Sequence, residues 1–156
     1  MKKVKDIFKA PEFGWVGDNF KNQFYEMDFK PSNKKLYIKI LERRMTDKEI
    51  LNEFKPTEIT LGELYNFLKS SKTLENNCAN IAFIRDDAGT LWAVGAGWGA
   101  GGGGWDVDAI SVGYPDEWGS GYQVLSQAAF GDLTSGNLEI LPEELTINNV
   151  KYRKVL

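Results

Sequence analysis

Four side chains suited to binding chemistry lie in the glycine-rich stretch VGAGWGAGGGGWDVDAI, which spans residues 94–110. Trp98 and Trp105 bracket the densest run of glycines, and Asp106 and Asp108 follow one residue apart. Protein interfaces often combine tryptophan anchors with charges that select the partner, so this stretch predicts a partner-binding surface. With two further acids downstream, the predicted contact residues are Trp98, Trp105, Asp106, Asp108, Asp116 and Glu117.

The chain contains no histidine, and this absence excludes several catalytic systems. Ser-His-Asp and Cys-His nucleophiles and the usual zinc sites all depend on histidine. Carboxylate chemistry does not depend on it, and Asp106 with Glu117 could serve as a glycosidase pair, but the sequence does not define their separation. We therefore expect a protein that is not an enzyme and assign no catalytic residue.

The glycine run lacks the pattern of a phosphate-binding loop. Such a loop precedes a helix and continues into Lys and Ser or Thr, whereas these glycines lie between two predicted strands and are followed by aspartates. The acids of DDAG (86–89) and WDVD (105–108) do not occupy the positions of an EF-hand loop either. The sequence accordingly predicts no bound nucleotide, metal ion or other cofactor.

The net charge of −3 conceals an uneven distribution of charges along the chain. Residues 1–55 carry thirteen Lys or Arg against nine Asp or Glu, while residues 86–150 carry ten acids and no cation. An acidic surface attracts a basic partner and repels nucleic acid, so we expect a basic protein partner and no direct nucleic-acid binding. Two other interpretations stay open: ordinary solvation of a surface, and stacking of a neutral glycan on the tryptophans.

Length and composition predict one domain over 1–156, with a strand and helices in 1–72 and an antiparallel sheet in 80–156. No apolar run reaches the roughly 20 residues of a membrane helix, and the N-terminus has no signal-peptide pattern. We expect no membrane association and a cytoplasmic location. The single cysteine, Cys78, excludes an internal disulfide.

Periodicity predicts the elements of the N-terminal half and the first hairpin. A strand is expected at Lys35–Leu41, and two helices begin at capping boxes, one with Thr46 and one with Thr60 as the N-cap. The strands IAFIR (81–85) and TLWAV (90–94) flank DDAG, which places Arg85 opposite Thr90. The same register pairs Ile84 with Leu91 and Phe83 with Trp92.

The second hairpin is expected to turn at Gly99–Gly104. This turn pairs Trp98 with Trp105, and it pairs Gly97 and Gly95 with Asp106 and Asp108 on the opposite face. Residues 122–126 predict a fourth strand, and LTINNVKYRKV (145–155) predicts a hairpin around Asn148-Asn149. The expected fold class is α+β: an antiparallel sheet built as a meander of hairpins, with two or three short helices packed on one face.

Several segments resemble pieces of small phage- and prophage-encoded proteins of unknown function. These segments are NIAFIRDDAGTLWAV, DVDAISVGYPDEWGSGYQVLSQ, LPEELTINNVKYRKV and the helical TLGELYNFLK. The resemblance implies an inhibitor, similar to anti-CRISPR proteins, that binds a basic host protein such as a CRISPR effector or another defence nuclease in the host cytoplasm. The alternative is a glycan-binding or virion-associated structural module that uses exposed tryptophans.

Overall fold

The chain folds into a six-stranded sheet with helices on both of its faces. The computed structural model describes residues 1–71, 78–99 and 103–131, together with the backbone of 144–147 and 150–153. The elements are a 3-10 helix (Val4–Asp6), β1 (Phe13–Val16), α1 (Asp18–Phe24), β2 (Tyr37–Ile40), β3 (Met45–Thr46), α2 (Asp47–Glu53), α3 (Leu61–Ser70), β4 (Ala79–Arg85), β5 (Leu91–Gly99), β6 (Gly104–Ser111), β7 (Glu117–Trp118), β8 (Gln123–Ser126), β9 (Glu144–Ile147) and β10 (Val150–Arg153).

The strand order in the main sheet is β1-β6-β5-β4-β8-β2. The α+β class is confirmed, but the sheet is mixed rather than purely antiparallel, because β1 runs parallel to β6 and β4 runs parallel to β8. Both parallel pairs join segments that are far apart in the sequence. The alternation of apolar and polar residues predicts hairpins between neighbouring strands, but it does not show which distant strands pair. β3 pairs with β7, and β9 with β10, in two short antiparallel ladders; the predicted turn at 148–149 lies outside the described residues.

The two central hairpins differ in how well the sequence predicted them. The β5–β6 register is confirmed, with Trp98 opposite Trp105. The β4–β5 register is wrong by one residue, because Arg85 pairs with Leu91 rather than with Thr90. The turn is shorter than expected: the Asp86 amide donates to the carbonyl of Thr90 at 2.9 Å, and the Asp86 carboxylate accepts the Thr90 amide at the same distance.

This shift of one residue exchanges the faces of two core side chains. Ile84 now lies opposite Trp92, and Phe83 lies opposite Ala93. Successive side chains of a strand point to opposite faces, so Phe83 packs on the face where Ile84 was expected. Gly89 adopts a φ of 86° in the turn, a left-handed conformation that favours glycine and completes a three-residue loop.

The prediction that two or three helices pack on one face is correct for α1 and α3 and wrong for α2. Helices α1 and α3 cover the face that carries Val94 and Val107, which we call the α3 face. Helix α2 covers the other face through Ile50, which packs in a cluster with Ile81 and Phe83; we call this the α2 face. An amphipathic stripe shows that a helix has a buried side but not which side of a sheet it covers.

Side-chain caps begin α2 and α3 as predicted. The Glu49 amide donates to Thr46 Oγ1 and the Thr46 amide donates to a Glu49 carboxylate oxygen, which completes a reciprocal capping box. Thr60 and Glu63 repeat this arrangement at α3. Within the described residues, no helix combines the length and apolar character that a bilayer crossing requires.

Candidate functional site

The six predicted contact residues fall in three separate places. Trp98 and Trp105 lie on the α3 face, and Asp106 and Asp108 lie on the α2 face of the same hairpin. Asp116 and Glu117 are exposed where the chain enters β7. The structure therefore brings these residues together only in pairs.

One tryptophan of the pair is buried in the core and the other is partly exposed at the surface. The rings of Trp98 and Trp105 meet edge to face with their centroids 5.4 Å apart. Trp105 is buried, so it stiffens the hairpin, while Trp98 is 39% exposed and is the accessible member of the pair. Both border a groove of about 320 Å³ beside α3.

Tyr65 forms the opposite wall of this groove. Its hydroxyl donates to Glu12 Oε1 at 2.8 Å, and Lys69 Nζ lies 5.3 Å from the centre of its ring. Burial and the adjoining Glu12 carboxylate raise the pKa of Tyr65 to about 12. The phenol therefore stays protonated at neutral pH and acts as a hydrogen-bond donor rather than as a base.

The α2 face of the hairpin contains a second cavity, of about 190 Å³, which we call the aromatic trough. Its lining residues are Trp15, Ala79, Gly95, Gly97, Asp106, Asp108, Ile110, Trp118 and Tyr122. Three aromatic side chains and two carboxylates thus surround a floor that contains two glycines. None of the described residues that line the trough is a cation.

The glycine floor lets an indole ring approach the strand backbone. A Cβ atom added to Gly95 would lie only 3.0 Å from Cη2 of Trp118, closer than ordinary van der Waals contact. The ring of Trp118 also packs against that of Tyr122, with ring centroids 5.9 Å apart. Trp15 enters from β1, where it pairs with Asp106 of β6 and is 54% exposed.

A buried carboxylate fixes the orientation of Trp118. The indole Nε1–H donates to Asp47 Oδ1 at 2.6 Å, and Asp47 lies in the first turn of α2 with 1% of its surface exposed. Asp47 Oδ2 accepts no hydrogen bond from the described part of the chain. Burial raises the pKa of the Asp47 carboxyl, and the hydrogen bond from Trp118 partly offsets that rise.

The two aspartates of the trough have different roles. Asp108 Oδ1 accepts the amide of Phe20 at 3.3 Å and the amide of Ala109 at 2.8 Å, so this carboxylate supports the first turn of α1. The carboxylate of Asp106 lies beside Gly99 and has no hydrogen-bond donor or cation partner among the described residues. Asp106 is therefore the carboxylate that a ligand can engage.

The remaining acids lie outside the trough. Glu117 accepts from Arg44 Nε at 3.3 Å across the β3–β7 ladder, so a cation from the other half of the chain already matches its charge. Asp116 is exposed in the preceding turn. The described residues hold no group of three or more acids or cysteines arranged to bind a metal ion.

Sequence reasoning found the aspartates of the trough but not its aromatic walls. The predicted pairing of Gly95 and Gly97 with aspartates is confirmed. The surface is not fully uncovered, however, because Trp118 lies on Gly95 and Asp108 supports α1. Trp15 and Trp118 reach it only through the pairing of β1 with β6 and of β3 with β7. The aromatic residues of the segment EWGSGY (117–122) were the available signal, since they follow the aspartates closely.

The described residues of the trough offer a ligand aromatic faces and one carboxylate that has no partner among them. Aromatic rings attract cations through their negative faces, and a carboxylate accepts charge-assisted hydrogen bonds. Comparison of the chain with protein-family models, curated proteins and solved structures found no match. These comparisons therefore assign neither a family nor a function to the chain.

Proposed function

We propose that this protein is a non-enzymatic binding protein that recognises a basic partner protein through the aromatic trough. The observation that carries the proposal is Asp106, a half-buried carboxylate without a partner among the described residues, which stands beside the exposed ring of Trp15. An unmatched charge next to an accessible aromatic ring is the composition of an interface that selects a cationic partner.

Two further features support a protein rather than a nucleic-acid partner. Among the described residues, the lining of the trough has two carboxylates and no cation, so it repels phosphate. The position of Trp118 is fixed by its hydrogen bond to Asp47 and by its close contact with Gly95, so the surface is already formed in the free protein. A preformed site loses less conformational entropy on binding than a flexible one.

The full proposal is that of an inhibitor, in which the basic partner is a host nucleic-acid-handling enzyme such as a CRISPR effector or another nuclease. Such enzymes carry cationic surfaces for their substrates, and a protein bound to one of those surfaces blocks access to it. The stretch 86–150 supports this role, because it carries ten acids and no Lys or Arg.

The test compares wild type with Asp106→Lys, which reverses the free charge of the trough. Asp87→Lys is the matched control, because Asp87 is exposed in the β4–β5 turn and its replacement changes the net charge by the same amount. Asp108 stays unchanged, because it supports α1. Each protein is added to purified CRISPR effectors and other nucleases, and binding and DNA cleavage are measured.

We expect wild type and Asp87→Lys to bind and inhibit the same enzyme, and Asp106→Lys to lose both effects. Circular dichroism of the three proteins checks that they share one fold. Equal binding by Asp106→Lys and Asp87→Lys would show that the trough is not the contact surface. Binding without loss of cleavage would leave a binding protein that is not an inhibitor.

A second candidate function is glycan binding, or a structural role on a virion that uses the same rings. The observation that favours it is the exposure of Trp15 and Trp98, since sugars stack on accessible indole faces. A glycan array separates the two candidates. Binding that is lost in Trp15→Ala or Trp98→Ala and kept in Asp106→Lys favours glycan recognition over recognition of a basic protein.

A further inference from the structure

We infer that the aromatic trough binds the guanidinium group of a single arginine side chain of the partner. The group would stack on the indole rings of Trp15 and Trp118 and pair with the carboxylate of Asp106. This inference rests on the proposed function and names the chemical group that the trough recognises. It is argued from the size, the charge and the shape of the cavity.

The size of the trough fits one side chain. Its volume of about 190 Å³ is below the roughly 300–1,000 Å³ of typical small-molecule sites. An oligosaccharide or a nucleotide would therefore project well beyond the walls. A side chain that enters end-on from a partner's surface fills the cavity while the rest of the partner stays outside.

The charge of the trough requires a cation. Asp106 has no partner among the described residues, and Asp108 adds a second carboxylate to the same wall. A neutral group seated there would remove water from Asp106 and could at best donate neutral hydrogen bonds, which leaves the desolvated negative charge unmatched. A cationic donor replaces those hydrogen bonds and neutralises the charge.

The shape of the trough favours guanidinium over ammonium. Trp118 presents a flat ring whose position is fixed by Asp47 and by the close approach to Gly95. A guanidinium is planar, stacks on aromatic faces, is weakly hydrated and donates two parallel hydrogen bonds to one carboxylate. An ammonium is a compact and strongly hydrated charge, which gives up more solvation in such a slot.

The experiment uses the full chain with ¹⁵N-labelled indole groups and three small probes. The probes are the N-acetyl methylamides of arginine, of lysine and of citrulline, the last being the neutral analogue closest in shape to arginine. Millimolar titrations are followed by NMR of the indole N–H signals, assigned with single Trp→Phe variants. The test variants are Trp15→Ala and Asp106→Asn, and Trp98→Ala is the control because it removes an exposed tryptophan from the other face.

We expect the arginine probe to shift the Trp15 and Trp118 signals and to saturate. The citrulline probe, and the arginine probe added to Asp106→Asn, should bind about tenfold more weakly, because each loses the charged hydrogen bonds. Trp15→Ala should weaken binding about three- to tenfold, and Trp98→Ala should stay within twofold of wild type. Lysine should bind more weakly than arginine.

Equal responses to arginine and citrulline, or arginine binding unchanged in Asp106→Asn, would overturn the inference. A lysine probe that binds as well as arginine would overturn the assignment to guanidinium. If the basic partner still depends on Asp106 while the arginine probe leaves the trough signals unmoved, the inference fails and the proposed function stands. If partner binding does not depend on Asp106, both fail.

Discussion

The replacement Trp118→Phe tests whether the trough depends on the buried carboxylate beneath it. The phenyl ring keeps an aromatic wall but removes the indole N–H that donates to Asp47 Oδ1 at 2.6 Å. Because Asp47 Oδ2 has no partner among the described residues either, both carboxylate oxygens would then be buried without a donor from that part of the chain. We therefore expect a loss of stability that depends on pH.

The magnitude follows from the charge of Asp47. A hydrogen bond to a charged group contributes about 1.5–3 kcal/mol, and one between neutral groups contributes about 1 kcal/mol. Burial raises the pKa of Asp47, so its contribution to stability is greatest at low pH and is lost as the pH rises through that raised value. Removal of the Trp118 donor raises this pKa further, so the loss of stability should increase from pH 4 to pH 8.

Urea unfolding across this pH range measures the loss of free energy of unfolding. Thermal unfolding at neutral pH should show a decrease in melting temperature of about 3–12 °C. The matched control is Trp92→Phe, which removes an indole donor to Asp86. That carboxylate keeps two backbone donors and is partly exposed, so the control should lose less stability.

A double-mutant cycle with Asp47→Ala isolates the pair, because alanine offers no acceptor to the Trp118 indole. We expect a coupling free energy above about 1 kcal/mol at pH 7, which decreases toward pH 4. A coupling below about 0.5 kcal/mol at pH 7, or a loss of stability by Trp118→Phe that is the same at both pH values, would refute the account of Asp47 as the charged anchor of this ring.

Three other replacements test close contacts of the structure, two at the trough and one at the start of α3. Asp108→Ala should destabilise the protein by about 1 kcal/mol in urea unfolding, since it removes the carboxylate at the first turn of α1. Gly62→Ala should cost about 3 kcal/mol or more, because the new methyl group would overlap the backbone carbonyl of Lys30; an unchanged unfolding midpoint would contradict this close approach. Gly95→Ala should displace Trp118 and weaken binding of the arginine probe, and NMR titration of the folded variant measures that loss.

The sequence predicted those parts of the fold that depend on neighbouring residues. The capping boxes at Thr46 and Thr60 and the pairing of Trp98 with Trp105 each involve side chains close together in the chain. The register of the first hairpin failed because the side chain of Asp86 binds backbone amides inside the turn and shortens it. Periodicity does not report such a turn-specific hydrogen bond.

The trough was predicted only in part, because some of its residues are brought together by contacts between distant segments. Asp106 and Asp108 were correctly placed opposite glycines, because the register of one hairpin determines that pairing. The aromatic walls arrive by long-range contacts, namely the parallel pairing of β1 with β6 and the short β3–β7 ladder. Contacts between distant segments leave no local period in the sequence, so Trp15 and Trp118 could not be assigned to the site.

The distribution of ion pairs decides which acids can select a partner. The structure matches Arg43 with Glu53 at 2.7 Å and Arg44 with Glu117 at 3.3 Å, so acids in both halves of the chain are neutralised locally. Asp106 has no such partner in the described part of the chain, and its charge therefore acts on whatever enters the trough. At physiological ionic strength, salt largely screens exposed charges that are more than about 8 Å apart, and it screens partly buried pairs much less. Binding through this single carboxylate should therefore weaken modestly as salt rises, whereas binding through the whole acidic surface would weaken steeply.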